Sequence, residues 1–159
     1  MKMKRLGKTG IMVSENSFGA LPIQRCTKEY AAEILQRAYK NGINFYDTAR
    51  FYTDSEEKIG LALSDVRGDI YLATKSMNRT REGCLRELNI SLGMMKTGYV
   101  DLFQLHNIPA LPDTGDPESA YHALLEAKRL GKTRFIGITT HRIDVAMEAA
   151  RSGLYDTVQ

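Results

Sequence analysis

Apolar positions along this chain follow two alternating rhythms. Between Lys28 and Lys40 they fall at helical spacing, with Tyr30, Ile34, Leu35 and Ala38 on one side. The pattern stops at Asn41-Gly42, and a β-rich run, Ile43–Asp47, follows at once. The same change then repeats. A helix is expected over about Asp54–Leu63, with Thr53 and Glu56 at capping-box spacing, and a strand over Ile70–Lys75. A helix over about Arg81–Lys96 carries Leu85, Leu88 and Leu92, and Gly98 precedes the strand Tyr99–His106. Asp116-Pro117 offers an N-cap and a first-turn proline for a helix reaching Leu130-Gly131. The strand Arg134–Ile138, a helix over about Ile143–Arg151 and a last strand, Tyr155–Gln159, complete the series. Upstream, the first residues read as a short hairpin around Gly7 to Gly10, then a strand ending near Gly19.

Strict alternation of strand and helix predicts parallel βαβ units. After the hairpin there are six strands and five helices. An open doubly wound sheet would want a G-x-G-x-x-G turn after its first strand. Here that strand gives SFGALPI, and no G-x-x-x-x-G-K-[ST] loop occurs elsewhere. The expected fold is therefore an α/β (β/α)8 TIM barrel behind an N-terminal β-hairpin. A closed barrel usually takes about 250 residues, so the 159 residues here predict one domain truncated after about six strands.

Composition narrows the partners. A net charge of +3, with Lys and Arg spread along the chain, gives no footprint for nucleic acid. No run approaches the roughly 18 apolar residues of a membrane span, and the basic start MKMKRLGKTG lacks a signal peptide's apolar stretch. The two cysteines, Cys26 and Cys84, form no C-x-x-C pair, which suits reduced thiols in a cytoplasmic protein.

Candidate chemistry gathers at strand ends. INFYDTARFY, DIYLATK and YVDLFQLH are apolar until they deliver Asp47 and Tyr52, then Lys75, then His106. Parallel strands would bring all four to one mouth, the C-terminal face where barrel enzymes place catalysis. Singly, each residue has a bland reading: a loop cap, a half-buried aromatic, a solvated lysine, a structural histidine. Their order at three successive strand ends favours a joint role. A metal hydrolase using Asp47, His106 and His141 is a weaker alternative, since no H-x-H or H-E-x-x-H occurs, and no metal site is expected. The loop NIPALPDTGDPES after His106 is the only long one, in a position that commonly shapes a substrate pocket.

These residues resemble the aldo-keto reductase superfamily along the whole chain. The resemblance rests on RLGKTG, SFG, GINFYDTARFYTDSEEKIG, YLATK, GYVDLFQLHN and GKTRFIGIT. It implies a barrel that reduces an aldehyde or ketone with NADPH or NADH. It also implies a catalytic tetrad: Tyr52 as proton donor, Lys75 paired with Asp47 to make the tyrosine more acidic, and His106 to orient the carbonyl. Gly19, Asp47, Thr139, Thr140 and Gln159 are the implied cofactor residues. Most members carry Ser-Asn where this chain has Thr139-Thr140. GITTHR and DTVQ are similar to a branch whose longer members add a C-terminal iron–sulfur segment, which is absent here. The alternative is a non-catalytic fragment or interaction module of the same origin. An incomplete barrel has two unpaired strand edges, and self-association is one way of covering them.

Overall fold

The computed structural model describes residues 1–159. Strands β1 (Met3–Arg5) and β2 (Met12–Ser14) pair antiparallel around a 3-10 turn, Gly7–Thr9. The alternation follows as β3 (Phe18–Gly19), α1 (Lys28–Lys40), β4 (Phe45–Asp47), α2 (Ser55–Leu63), β5 (Tyr71–Ser76) and α3 (Arg81–Met94). It continues as β6 (Val100–Leu105), α4 (Ala120–Arg129), β7 (Thr133–Ile138), α5 (Ile143–Ser152) and β8 (Thr157–Val158). Strands β3 to β8 pair in chain order, each parallel to the next. They curl into half of a barrel. No helix is long and apolar enough to cross a membrane.

Pairing register sorts the side chains into two faces. Asp47, Ala73, Leu102 and Phe135 stand abreast on neighbouring strands; one step further, Lys75, Gln104, Gly137 and Thr157 do the same. These rows line the inner, concave face. Tyr46, Leu72, Phe103, Leu105, Ile136 and Ile138 point the other way, into a 25-residue core with Leu35, Ile59, Leu88, Leu124 and Val145 of the five helices. Each large apolar side chain fully buried there contributes about 1.5–3 kcal/mol. That layer holds the strand ends in place.

Local chemistry explains most element ends. Thr27 caps α1 by accepting from Tyr30 N at 3.2 Å, and Thr80 caps α3 by accepting from Gly83 N at 3.2 Å. Left-handed Gly42, Gly131 and Gly153 follow α1, α4 and α5. Two expectations need correction. No capping box opens α2: Asp54 is its N-cap, Thr53 has φ 42°, and Glu56 turns inward, accepting from Thr74 Oγ1 at 2.6 Å. A buried partner outcompetes the local cap. Helix α4 begins at Ala120, later than Asp116-Pro117 suggested. A bridge between Thr80 and Ser119, with Arg81 N on Glu118 O at 2.7 Å, keeps Ser119 extended. Asp116 instead closes a turn, accepting from Glu118 N at 2.9 Å. Strands β3, β4 and β8 are also shorter than their apolar runs.

Candidate active site

Asp47 ends β4, Lys75 is the penultimate residue of β5, and His106 directly follows β6. Because the strands are parallel, all three reach the same end. Lys75 Nζ donates to Asp47 Oδ2 at 2.6 Å and to Thr48 O at 2.8 Å. The lysine is nearly inaccessible, its side chain 2% exposed. Burial pushes its pKa below the usual lysine range, while Asp47 pulls the other way. Tyr52 lies on the loop after β4. Its ring meets His106 edge-on, with centroids 5.5 Å apart, and the Lys75 ammonium stands 5.5 Å from its centre.

Burial, then the charge of Asp47, pushes the Tyr52 phenol above its ordinary pKa. The lysine was expected to make it more acidic. In this arrangement the ammonium is engaged by Asp47 and the Thr48 carbonyl, and the burial of the phenol with the charge of Asp47 sets the direction of the shift. Burial, then Lys75, pushes His106 below the usual histidine value, so its ring is neutral near pH 7. Its Nδ1 is buried without a hydrogen-bond partner.

Tyr52, Lys75, His106, Thr139, Thr140, His141 and Gln159 line one cavity of about 220 Å³. Asp47 lies against Lys75 and faces a second cavity, of about 200 Å³, on the inner face with Leu102 and Gln104. Gly19, in register with Asp47 at the end of β3, lines neither; a Cβ there would meet nothing within 4 Å. No residue of the long loop after β6 lines the Tyr52 cavity. Its Leu111–Thr114 stretch packs over α5 and lines a separate space of about 600 Å³.

The two threonines differ in what they leave free. Thr139 Oγ1 accepts from Asn107 N at 2.8 Å, so its proton remains available. Thr140 Oγ1 donates to Ile108 O at 2.8 Å and accepts from Arg142 N at 3.1 Å. Gln159 N donates to Ile138 O at 3.0 Å, and Thr140 N donates to Gln159 O at 3.0 Å, which seats Gln159 beside them. A free hydroxyl proton, an exposed amide and an orphaned ring nitrogen in one cavity suit a polar, planar ligand such as a carboxamide-bearing ring.

Some residues of this neighbourhood escaped sequence reasoning. Arg79 Nη2 donates to His106 O at 2.7 Å and Asn107 O at 3.2 Å, bracing the turn where Asn107 takes φ 49°. Arg50 and Glu56 form a partly buried pair behind the Tyr52 loop. Glu56 follows a helix start, where an acid reads as a cap, and nothing in its spacing marks it as buried.

Comparison with known proteins matches this architecture. The sequence profile of the Aldo/keto reductase family matches residues 14–159. The chain is 34% identical over 162 residues to an uncharacterized oxidoreductase of Bacillus subtilis, YqkF, covering 93% of this chain and 52% of that protein. It is 32% identical over 161 residues to L-galactose dehydrogenase of Arabidopsis thaliana, covering 91% and 50%. The solved structure of aldo-keto reductase AKR11C1 from Bacillus halodurans, holo form, superposes with TM-score 0.83 at 31% identity, over 95% of this chain and 54% of that one. The chain thus spans about half the length of these relatives.

Proposed function

Because this chain belongs to the aldo/keto reductase family, we propose that it contributes the catalytic end of an NAD(P)H-dependent oxidoreductase that reduces an aldehyde or ketone to an alcohol. The observation that carries the proposal is the Lys75–Asp47 pair, set beside a Tyr52 that faces His106 across one cavity. Tyr52 is the proton donor. Its raised pKa keeps the phenol protonated through the neutral range, as a donor requires. As the proton leaves its hydroxyl for the carbonyl oxygen, the Lys75 ammonium stabilises the phenolate left behind. Neutral His106 donates a ring N–H to the same oxygen and orients it, and one preorganised donor of that kind is worth about 3 kcal/mol.

The cofactor, NADPH or NADH, supplies the hydride when bound. Thr139 and Gln159 offer it the free polar atoms, Thr140 forms the wall between them, and Asp47 and Gly19 flank the neighbouring strand ends. The same reading treats residues 1–159 as one barrel-type domain, and its free thiols suit the cytoplasm.

A saturable NADPH fluorescence titration, paired with turnover of a reporter aldehyde, tests the proposal. Tyr52→Phe should keep cofactor binding and lose roughly 10²-fold or more of turnover. Normal turnover in that variant would refute the assignment.

A second reading, an interaction module, draws on the outer edges of β3 and β8, which pair with no strand. Two copies meeting there would cover the inner-face cavity bordered by Phe45, Leu102 and Val158. A strictly monomeric chain in sedimentation analysis would remove it.

A further inference from the structure

We propose that Arg50 is a positioning residue: through Glu56 it holds the Tyr52 loop in the conformation that presents the phenol. This rests on the reading of Tyr52 as proton donor. The loop has little apolar packing of its own. Phe51, next to Tyr52, is 68% exposed, and Tyr52 is only half-buried. Thr53, on the other side, has φ 42°, a left-handed region that a β-branched residue avoids. A segment so shaped relaxes unless its surroundings hold it.

Arg50 makes that hold in three directions. Its backbone N donates to Lys75 O at 2.9 Å, tying the loop to the end of β5. Its Nη2 donates to Thr53 O at 2.9 Å, gripping the strained residue directly. Its Nη1 meets the carboxylate of Glu56, a residue 1% exposed. Glu56 is itself fixed to β5, since its other oxygen accepts from Thr74 Oγ1 at 2.6 Å. Thr74 precedes Lys75. The loop that carries the donor and the strand that carries the ammonium therefore share one polar clamp. Thr53 Oγ1 adds only long contacts, 3.3 Å to Gln24 Oε1 and 3.3 Å to Asp54 Oδ1.

A guanidinium can serve both acceptors at once because its donors are fixed in a planar fork; an ammonium at the same place reaches one of them. Arg50→Lys thus keeps the charge opposite Glu56 but breaks the bridge to Thr53. Glu56→Gln keeps an acceptor for Thr74 but removes the ion pair.

The test compares the 159-residue chain with Arg50→Lys, Glu56→Gln and Tyr52→Phe. Three quantities are read: thermal melting, hydrogen exchange of the segment 49–54 by mass spectrometry, and NADPH-dependent reduction of 4-nitrobenzaldehyde. In Arg50→Lys, exchange over 49–54 should rise about tenfold while the melt stays cooperative. Its kcat should fall between about tenfold and a hundredfold, with KM for NADPH within about twofold, as expected for a misplaced group. Glu56→Gln should shift both in the same direction, and it carries the test if Arg50→Lys does not fold. Unchanged exchange in the folded variants overturns the proposal, and so does a rise in KM at unchanged kcat. Tyr52→Phe separates the two readings. If it turns over normally while Arg50→Lys loosens the segment, the donor assignment fails and the clamp stands. If the parent chain shows no turnover, the exchange result alone decides whether Arg50 holds the loop.

Discussion

His106 shows how a single side chain couples the site to stability. It is half-buried, beside Lys75 and within the field of Asp47, Arg79 and His141, and its pKa lies below the usual 6.5. The unfolded chain therefore takes up this proton more readily than the folded one as pH falls below about 6.5, and stability drops in that window. His106→Asn should flatten the decline: the ratio of urea midpoints at pH 7 and pH 5 should move toward one. A ratio equal to that of the parent would mean that other groups carry the acid sensitivity. The sequence placed His106, Lys75 and Asp47 at their strand ends, with Tyr52 on the loop just beyond, because an apolar run that closes on a polar residue is visible without coordinates. It did not reveal the direction of the Tyr52 shift. That depends on the burial of the phenol first and on the charge of Asp47 beside it second, both matters of tertiary geometry.

Among the elements, α2 and α3 meet through a missing side chain. A Cβ on Gly60 would lie 2.3 Å from the Met94 carbonyl oxygen and 2.8 Å from the Met95 backbone. Helix propensity alone favours alanine over glycine by about 1 kcal/mol. Gly60→Ala should nevertheless destabilise the chain by about 1–3 kcal/mol, because backbone cannot retreat as a flexible side chain would. A raised urea midpoint would show that the two helices are not in such close contact. By contrast, Thr27→Ala at the start of α1 should cost about 1 kcal/mol, the ordinary loss of a cap. That helix was readable to the residue, since its apolar spacing and the Asn41-Gly42 stop are both local signals. The start of α4 was not, because Ser119 answers to a partner far along the chain; at α2 the bounds were legible but the cap was not, because Glu56 turns inward to Thr74.

For the whole molecule, order of pairing follows order of sequence from β3 to β8, so the alternation alone conveyed the topology. What stayed hidden was how the inner rows interlock. In one of them Gly137 stands between Gln104 and Thr157, and a Cβ there would sit 2.2 Å from Thr157 Oγ1. The last strand can approach β7 only because that carbon is missing, and Gln159, two residues on, inherits its position from that approach. A single methyl at Gly137 would therefore act as a wedge. It would swing the far wall of the Tyr52 cavity outward without touching Asp47, Tyr52, Lys75 or His106, giving a dial on ligand size that is separable from the chemistry.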